Sequence, residues 1–216
     1  MKARIIHIER VSSTQDVAKK INPMIPGTVI VADTQDSGRG QHGHKWISPR
    51  GGLYASFILP AEPLISIRVG VALARSLKKL RIDARLKWPN DVLVDEKKIA
   101  GILIEAQAAK AIVGIGLNIH RAPLPDSTCV TDQTTLPVSR DDLVVSILGD
   151  YDATRQDNVI EAYRELCTTL GRQVQVNLGT KTLSGEAYEI NNKGHLILKI
   201  GDHSRIIHSG QCKHIN

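Results

Sequence analysis

The sequence predicts an α+β fold with a small all-β unit after it. Three observations predict this. Apolar, strand-like runs recur at 28–32 (TVIVA), 53–59 (LYASFIL), 92–94, 99–105 and 111–118 (AIVGIGLN), and short polar turns join several of them. Helix-like runs stand between and after these strands, at 64–80, from Ser139, and over 158–170. From Arg172 the texture changes to short strands with tight turns, a small β-barrel of about 45 residues at the low end for independent folding.

Taken in order, 4–8 alternates like a short strand. Ser12 to Asp16 then reads as a helix start, with Ser13 as cap or, alternatively, as a ligand-facing hydroxyl at the positive helix end. A turn with two prolines, 22–27, leads into the strand at Thr28. The loop 36–56, DSGRGQHGHKWISPRGGLYAS, holds five glycines, two arginines and a lysine, and no carboxylate after Asp36. Backbone N–H groups beside basic side chains make an anion-binding concavity. The other reading is a surface loop whose glycines only serve turns. Its G-x-G-x-x-G match (Gly38, Gly40, Gly43) is followed by Ser48-Pro49 and a strand, not by the helix a dinucleotide fold needs. No HRD or DFG follows for a kinase.

The helix over 64–80 turns Ile67, Val71, Ala74 and Leu77 inward, and its basic residues read as a solvated face. In 85–105, RLKWPNDVLVDEKKIAGILIE, Pro89 breaks the sheet, so Lys87, Trp88, Asn90 and Asp91 converge at a gap. Asp95-Glu96 turns a hairpin. By composition alone, Lys98 just after it reads as solvated. Gly114 and Gly116 clear one strand face, which predicts something flat lying there, or a tight helix contact. Residues 120–137 read as loop. Ser139 caps a helix with Asp141 and Asp142 in its first turn. The helix over 158–170 ends at Gly171 as its C′ residue.

The chain has 216 residues, net charge +6 and little aromatic content, so its core is mainly aliphatic. The charge permits phosphates, nucleic acid or an acidic partner without choosing among them. Three scattered cysteines give neither a disulfide framework nor a CxxC metal spacing, which fits a reducing cytoplasm. No signal peptide and no apolar run of membrane-spanning length is evident, so a cytoplasmic location is expected.

The segments STQDVA, GTVIVADTQDSGRGQHGHKWISPRGGLYAS, LKWPNDVLVDEKKIAGILIE and IVGIGLNI resemble the biotin protein ligases, and GEAYEINNKGHLILKI…HSGQC is similar to their small C-terminal domain. The resemblance spans nearly the whole chain in the family's order. It implies a mixed, mainly antiparallel sheet with helices on one face, of the class II synthetase-like kind. It implies a catalytic domain over 1–170 and an SH3-like barrel over 171–216. The sequence starts at the catalytic part, so the resemblance implies a monofunctional ligase without the DNA-binding domain, with no DNA or membrane partner and with homodimers expected.

The implied activity is two-step: biotin and ATP give biotinyl-5′-AMP, and a lysine of the biotin carboxyl carrier protein then takes the biotin. By resemblance Lys98 reaches the biotin carboxylate and the α-phosphate. Arg39 belongs to the loop over the adenylate, and Asp91 orients the incoming lysine. Ser13, Thr14 and Gln35 match positions that bond the ureido ring. Gly101, Leu103, Gly114 and Gly116 match the biotin bed, with Arg39 and Lys98 at its charged end. Gln41, Lys45, Trp46 and Asn118 match adenylate positions, Asn118 also serving Mg²⁺ through water. Mg²⁺ is expected with the triphosphate. The family loop reads GRGRxGRxW, whereas this chain has GRGQHGHKW, so Gln41 and His44 replace two arginines. Alternatives are a lipoate–protein ligase-like enzyme, although no RxSGGGxVxHD-like run occurs, and a catalytically impaired carrier-binding homologue. A nucleic-acid module is disfavoured by the scarcity of stacking aromatics.

Overall fold

The computed structural model describes residues 1–107 and 109–215. Seven strands form the main sheet: β1 (Arg4–Val11), β2 (Thr28–Gln35), β3 (Leu53–Pro60), β4 (Arg85–Lys87), β5 (Asp91–Val94), β6 (Lys97–Gln107) and β7 (Lys110–Leu117). Their order is β1-β2-β3-β7-β6-β5-β4. Only β1 and β2 run parallel; the other pairs are antiparallel, so the expected mixed, mainly antiparallel sheet is what forms. Alternation along the strands splits the core in two. Val29, Val31, Ala55 and Phe57 face α2 (Ile65–Lys79), α4 (Arg140–Ala153) and α5 (Val159–Leu166). Ile30, Ile58 and Ile112 face Ala18 of the short α1 (Thr14–Lys20), so the longer helices share one face and α1 covers the other.

The second sheet, β8 (Gln173–Asn177), β9 (Thr182–Ile190), β10 (Leu196–Ile200), β11 (His203–Ile207) and β12 (Gln211–His214), is antiparallel in the order β11-β10-β9-β8-β12. Its apolar residues Val174, Val176, Ala187, Leu196 and Leu198 join the same core as the main sheet.

Three expectations are corrected. The basic residues of α2 are only in part a solvated face: Lys78 and Lys79 are exposed, but Arg68 Nη1 donates to the Thr154 carbonyl at 2.6 Å, Arg75 pairs with Asp157 at 2.5 Å, and Lys79 with Asp150 at 2.8 Å. Carboxylates and a carbonyl from the later helices meet them there. The helix expected over 158–170 stops at Leu166, because Cys167 bridges Leu86 of β4 and the Thr168 N–H donates to the Leu86 carbonyl at 2.8 Å. The loop over 120–137 contains one helical turn, α3 (Val130–Gln133).

Polar contacts tie the two sheets beside Trp88. The Trp88 N–H donates to Thr169 Oγ1 at 3.0 Å, and its indole N–H donates to the Gly194 carbonyl at 3.2 Å. His214 lies 3.2 Å from Thr169 Oγ1 through Nε2 and 3.3 Å from Arg172 Nη1 through Nδ1. A guanidinium only donates, so Nδ1 accepts and the proton sits on Nε2, facing Thr169. Burial, then the charges of Lys87 and Arg172, push the His214 pKa down from 6.5 to about 4. A base whose pKa is depressed on folding contributes stability that is complete above the unfolded value and lost as pH falls toward the folded one. Urea midpoints are therefore expected to drop between pH 6.5 and 4. His214→Gln, which keeps one acceptor and one donor but does not titrate, is expected to show a smaller drop over that window.

Candidate active site

The KWPND segment, the glycine loop, the N-terminus of α1 and the edge of the second sheet enclose one cavity of about 550 Å³. It is lined by Ser13, Thr14, Gln35, Arg39, Gln41, Lys45, Trp46, Asp91, Lys98, Gly101, Leu103, Gly114 and Gly116. Every expected site residue except Asn118 is thus brought together. Asn118 is buried outside the cavity lining, its side-chain N–H donating to the Thr128 carbonyl at 3.1 Å. That bond uses the side-chain N–H, so the ribose or metal role expected of Asn118 would fall to its amide oxygen.

At the head of α1, Ser13 occupies the cap position without making a cap bond, and its Oγ is buried without a partner. Thr14 donates twice to Gln35 Oε1, from its N–H at 2.9 Å and from Oγ1 at 3.1 Å. Ser56 donates to Thr14 Oγ1 at 2.8 Å, and Gln35 Nε2 donates to Ser48 Oγ at 2.9 Å. Ser48 in turn donates to the Trp46 carbonyl at 3.0 Å, so this chain of bonds joins α1 to the loop.

The loop folds back on itself through bridges between Gln35 and Ser48 and between Arg39 and Lys45. A single 3₁₀ turn, Gln41–Gly43, forms its tip, with His42 in the left-handed region at φ 54°. Arg39 makes a bidentate pair with Asp16 at 2.7 and 2.8 Å and reaches Glu105 at 3.3 Å. The Asp16 bond raises the already high pKa of the guanidinium, so it is permanently cationic.

Sequence reasoning expected something flat on the glycines of β7, and the structure places Trp46 there. A Cβ at Gly116 would overlap Trp46 Cε2 and Nε1, and one at Gly101 would lie 3.1 Å from Cζ3. Lys98 Nζ stands 5.4 Å from the indole centroid and 2.5 Å from Asp91 Oδ1. Lys98 is therefore held between a carboxylate and a π-face, not solvated at a turn.

Sequence reasoning missed Gln15 and the second sheet's share of the lining, which includes Gln175, Gln211, Cys212 and Lys213. Gln211 Nε2 donates to His44 Nε2, fixing the loop against β12. Burial pushes the Cys212 thiol up to about 12, so it is no nucleophile at neutral pH. Among the described residues no group of three or more His, Cys, Asp or Glu is arranged to hold a metal, and no helix is long and apolar enough to cross a membrane.

A cavity with an apolar bed at one end and fixed cations at the other suits an apolar acid meeting a phosphate. Comparison with known proteins agrees with this. The Biotin protein ligase C terminal domain matches residues 169–214. The biotin–[acetyl-CoA-carboxylase] ligase of Mycobacterium tuberculosis is 29% identical over 213 residues, covering 88% of this chain and 80% of that protein. The biotin protein ligase from Aquifex aeolicus in complex with biotin and ATP superposes with a TM-score of 0.84 at 30% identity, covering 100% of this chain and 99% of that one. The ligase from Leishmania major in complex with biotinyl-5-AMP gives 0.70 at 25%, covering 100% of both chains. With more than half of its length, residues 7–120, matching the Biotin/lipoate A/B protein ligase family, the chain belongs to that family.

Proposed function

We propose that the chain is an ATP-dependent biotin–protein ligase with its catalytic part over 1–170 and a smaller unit over 171–216. The observation that carries this reading is the single cavity in which the glycine bed meets Lys98, Arg39 and Lys45. In the first step a carboxylate oxygen of biotin attacks the α-phosphorus of ATP. The bond to the bridging oxygen breaks, pyrophosphate leaves, and biotinyl-5′-AMP forms. Two anions must approach, so fixed positive charge lowers the barrier. Lys98 stands between the bed and the phosphate end, and Arg39 exchanges Asp16 and Glu105 for the ligand when it enters. In the second step a neutral lysine amine of the carrier attacks the acyl carbon and AMP leaves, with Asp91 orienting the amine.

Mg²⁺ enters as the partner of the ATP triphosphate. The cavity offers it no carboxylate cluster, and Asp91 is paired with Lys98. The acceptor is a biotin carboxyl carrier domain of a biotin-dependent carboxylase. The outer edge of β1, at the margin of the sheet, is available for strand addition by that domain or by a second copy in a homodimer.

Exchange of labelled pyrophosphate into ATP tests the reading directly, run with biotin, with lipoate and with neither. Biotin-dependent exchange is expected. Exchange with lipoate alone would assign the sister activity, and none with either acid would leave a binding role.

The loop holds two fewer fixed charges than the family pattern, at Gln41 and His44. Gln41→Arg is therefore expected to slow release of labelled biotinyl-5′-AMP several-fold, by about 1 kcal/mol for one charge-assisted bond. Unchanged release and unchanged acceptor selectivity would show that Lys45 already compensates; Arg50 lies outside the cavity lining, paired with Asp33 and Glu9.

A further inference from the structure

The main sheet does not by itself hold the backbone of Lys98. β7 ends at Leu117, opposite Ala100 of β6, and the Asn118 N–H makes the last bond from that strand's end, to the Ile99 carbonyl at 3.0 Å. On the other side the register with β5 shifts between Val92 and Leu93, beside the pairing of Leu93 with Lys98. A lysine ammonium stands at the end of a flexible four-carbon stem, so its placement depends on how firmly its root is held.

The place that β7 vacates is filled by a strap from the loop after it. Ser127 bridges Lys98 in parallel. The Lys98 N–H donates to the Asp126 carbonyl, and the Thr128 N–H donates to the Lys98 carbonyl, both at 3.0 Å. Three consecutive residues thus take both main-chain groups of Lys98. The strap is itself tied down at Thr128, which is 4% exposed. The Thr128 carbonyl accepts from the Asn118 side chain at 3.1 Å, and Thr128 Oγ1 accepts from Gln133 Nε2, at the end of α3, at 2.9 Å. The Val130 N–H returns to the Asn118 carbonyl at 3.0 Å. A closed circuit therefore runs from the end of β7 through Thr128 to Lys98, and back through Ile99 to Asn118. Neither the strap, 126–128, nor Gln133 lines the cavity, so any effect they have on the reaction is relayed.

We propose that Thr128 is a positioning residue of the ligase that acts on the reaction through Lys98. Pinned by Asn118 and Gln133, it holds the root of the lysine, while Asp91 and the face of Trp46 hold its tip. This rests on the ligase reading of the site, in which Lys98 meets the biotin carboxylate and the α-phosphate. A slack root lets the ammonium drift from the two anions, and a drift near 1 Å costs about 100-fold in rate. Losing one of several ties costs less than that.

The test is biotin-dependent exchange of labelled pyrophosphate by the full chain. Thr128→Val keeps the shape of the side chain and removes the acceptor for Gln133. It is expected to lower exchange about 5- to 10-fold. Thr128→Ser keeps the hydroxyl and is expected to stay within about twofold of wild type. In a Lys98→Met background, Thr128→Val is expected to lower exchange by less than about twofold, because residues that act as a unit are not additive. A merely structural role would cost the same factor in both backgrounds. Gln133→Met removes the donor of the same bond from a half-buried side chain, and it repeats the cycle if circular dichroism shows that the valine variant does not fold. The proposal is overturned by a folded Thr128→Val with wild-type exchange, by an equal loss in the Lys98→Met background, or by a serine variant that falls as far as the valine one. Wild type without biotin-dependent exchange overturns the ligase reading itself, and this inference with it.

Discussion

Lys98→Met is expected to lower biotin-dependent pyrophosphate exchange by about 10²- to 10³-fold, the usual cost of losing one preorganised electrostatic donor. Methionine replaces the apolar stem and ends one atom short, so the packing near Gly101 and Trp46 is largely kept while the charge is lost. Lys98 is the second residue after a turn whose residues Asp95 and Glu96 both hold positive φ, 50° and 62°. The turn and the first residues of β6 therefore fix where the ammonium stands. Folding stability is expected to change by less than about 1 kcal/mol, because the Lys98–Asp91 pair is partly exposed. Exchange rates and urea midpoints measured together separate the two effects. Exchange within tenfold of wild type, in a folded variant, would move the catalytic charge to another side chain.

Gly116→Val is expected to reduce biotin affinity by about 100-fold or more, the scale of a misplacement near 1 Å, while the fold persists. Gly116 pairs with Tyr54 on β3 and with Gly101 on β6, and its φ lies outside the left-handed region. Valine suits that backbone better than glycine does. Its branched Cβ would occupy the space on which the Trp46 indole lies. Stability is expected to stay within about 1 kcal/mol of wild type, because the displaced indole belongs to a loop. Trp46 emission should move to the red, while Trp88, 2% exposed at the junction of the sheets, supplies a constant background. Undiminished biotin affinity would mean that the ligand does not use this bed.

The main strands were legible because their alternation and apolar runs are local, and so was the gap at Pro89. Ser139 was readable as a cap for the same reason, and its side chain does accept from the Asp142 N–H. The end of α5 was not legible, since it is set by Leu86, some eighty positions earlier. Lys98 has no local signature. Its setting comes from Asp91 across a hairpin and from Trp46 in a distant loop, and only the family resemblance pointed to it. The spacing of Gly114 and Gly116 did announce a flat occupant, but periodicity cannot say which ring arrives. Gln15 reads as an ordinary helix residue until Glu105 and the β7 backbone show which way its amide must face. The lining from the second sheet was invisible for a related reason: docking between two sheets leaves no mark on either one's own pattern.

That docking also sets an order in time. Gln211, Cys212 and Lys213 of β12 are the last lining residues in the chain, and β12 pairs with β8 and meets the loop through His44. During synthesis the main sheet, α1 and the loop can all form while this wall of the cavity is still missing. The cavity cannot be complete before residue 213 has left the ribosome, so the wall that β12 supplies is the last part of the site to become available.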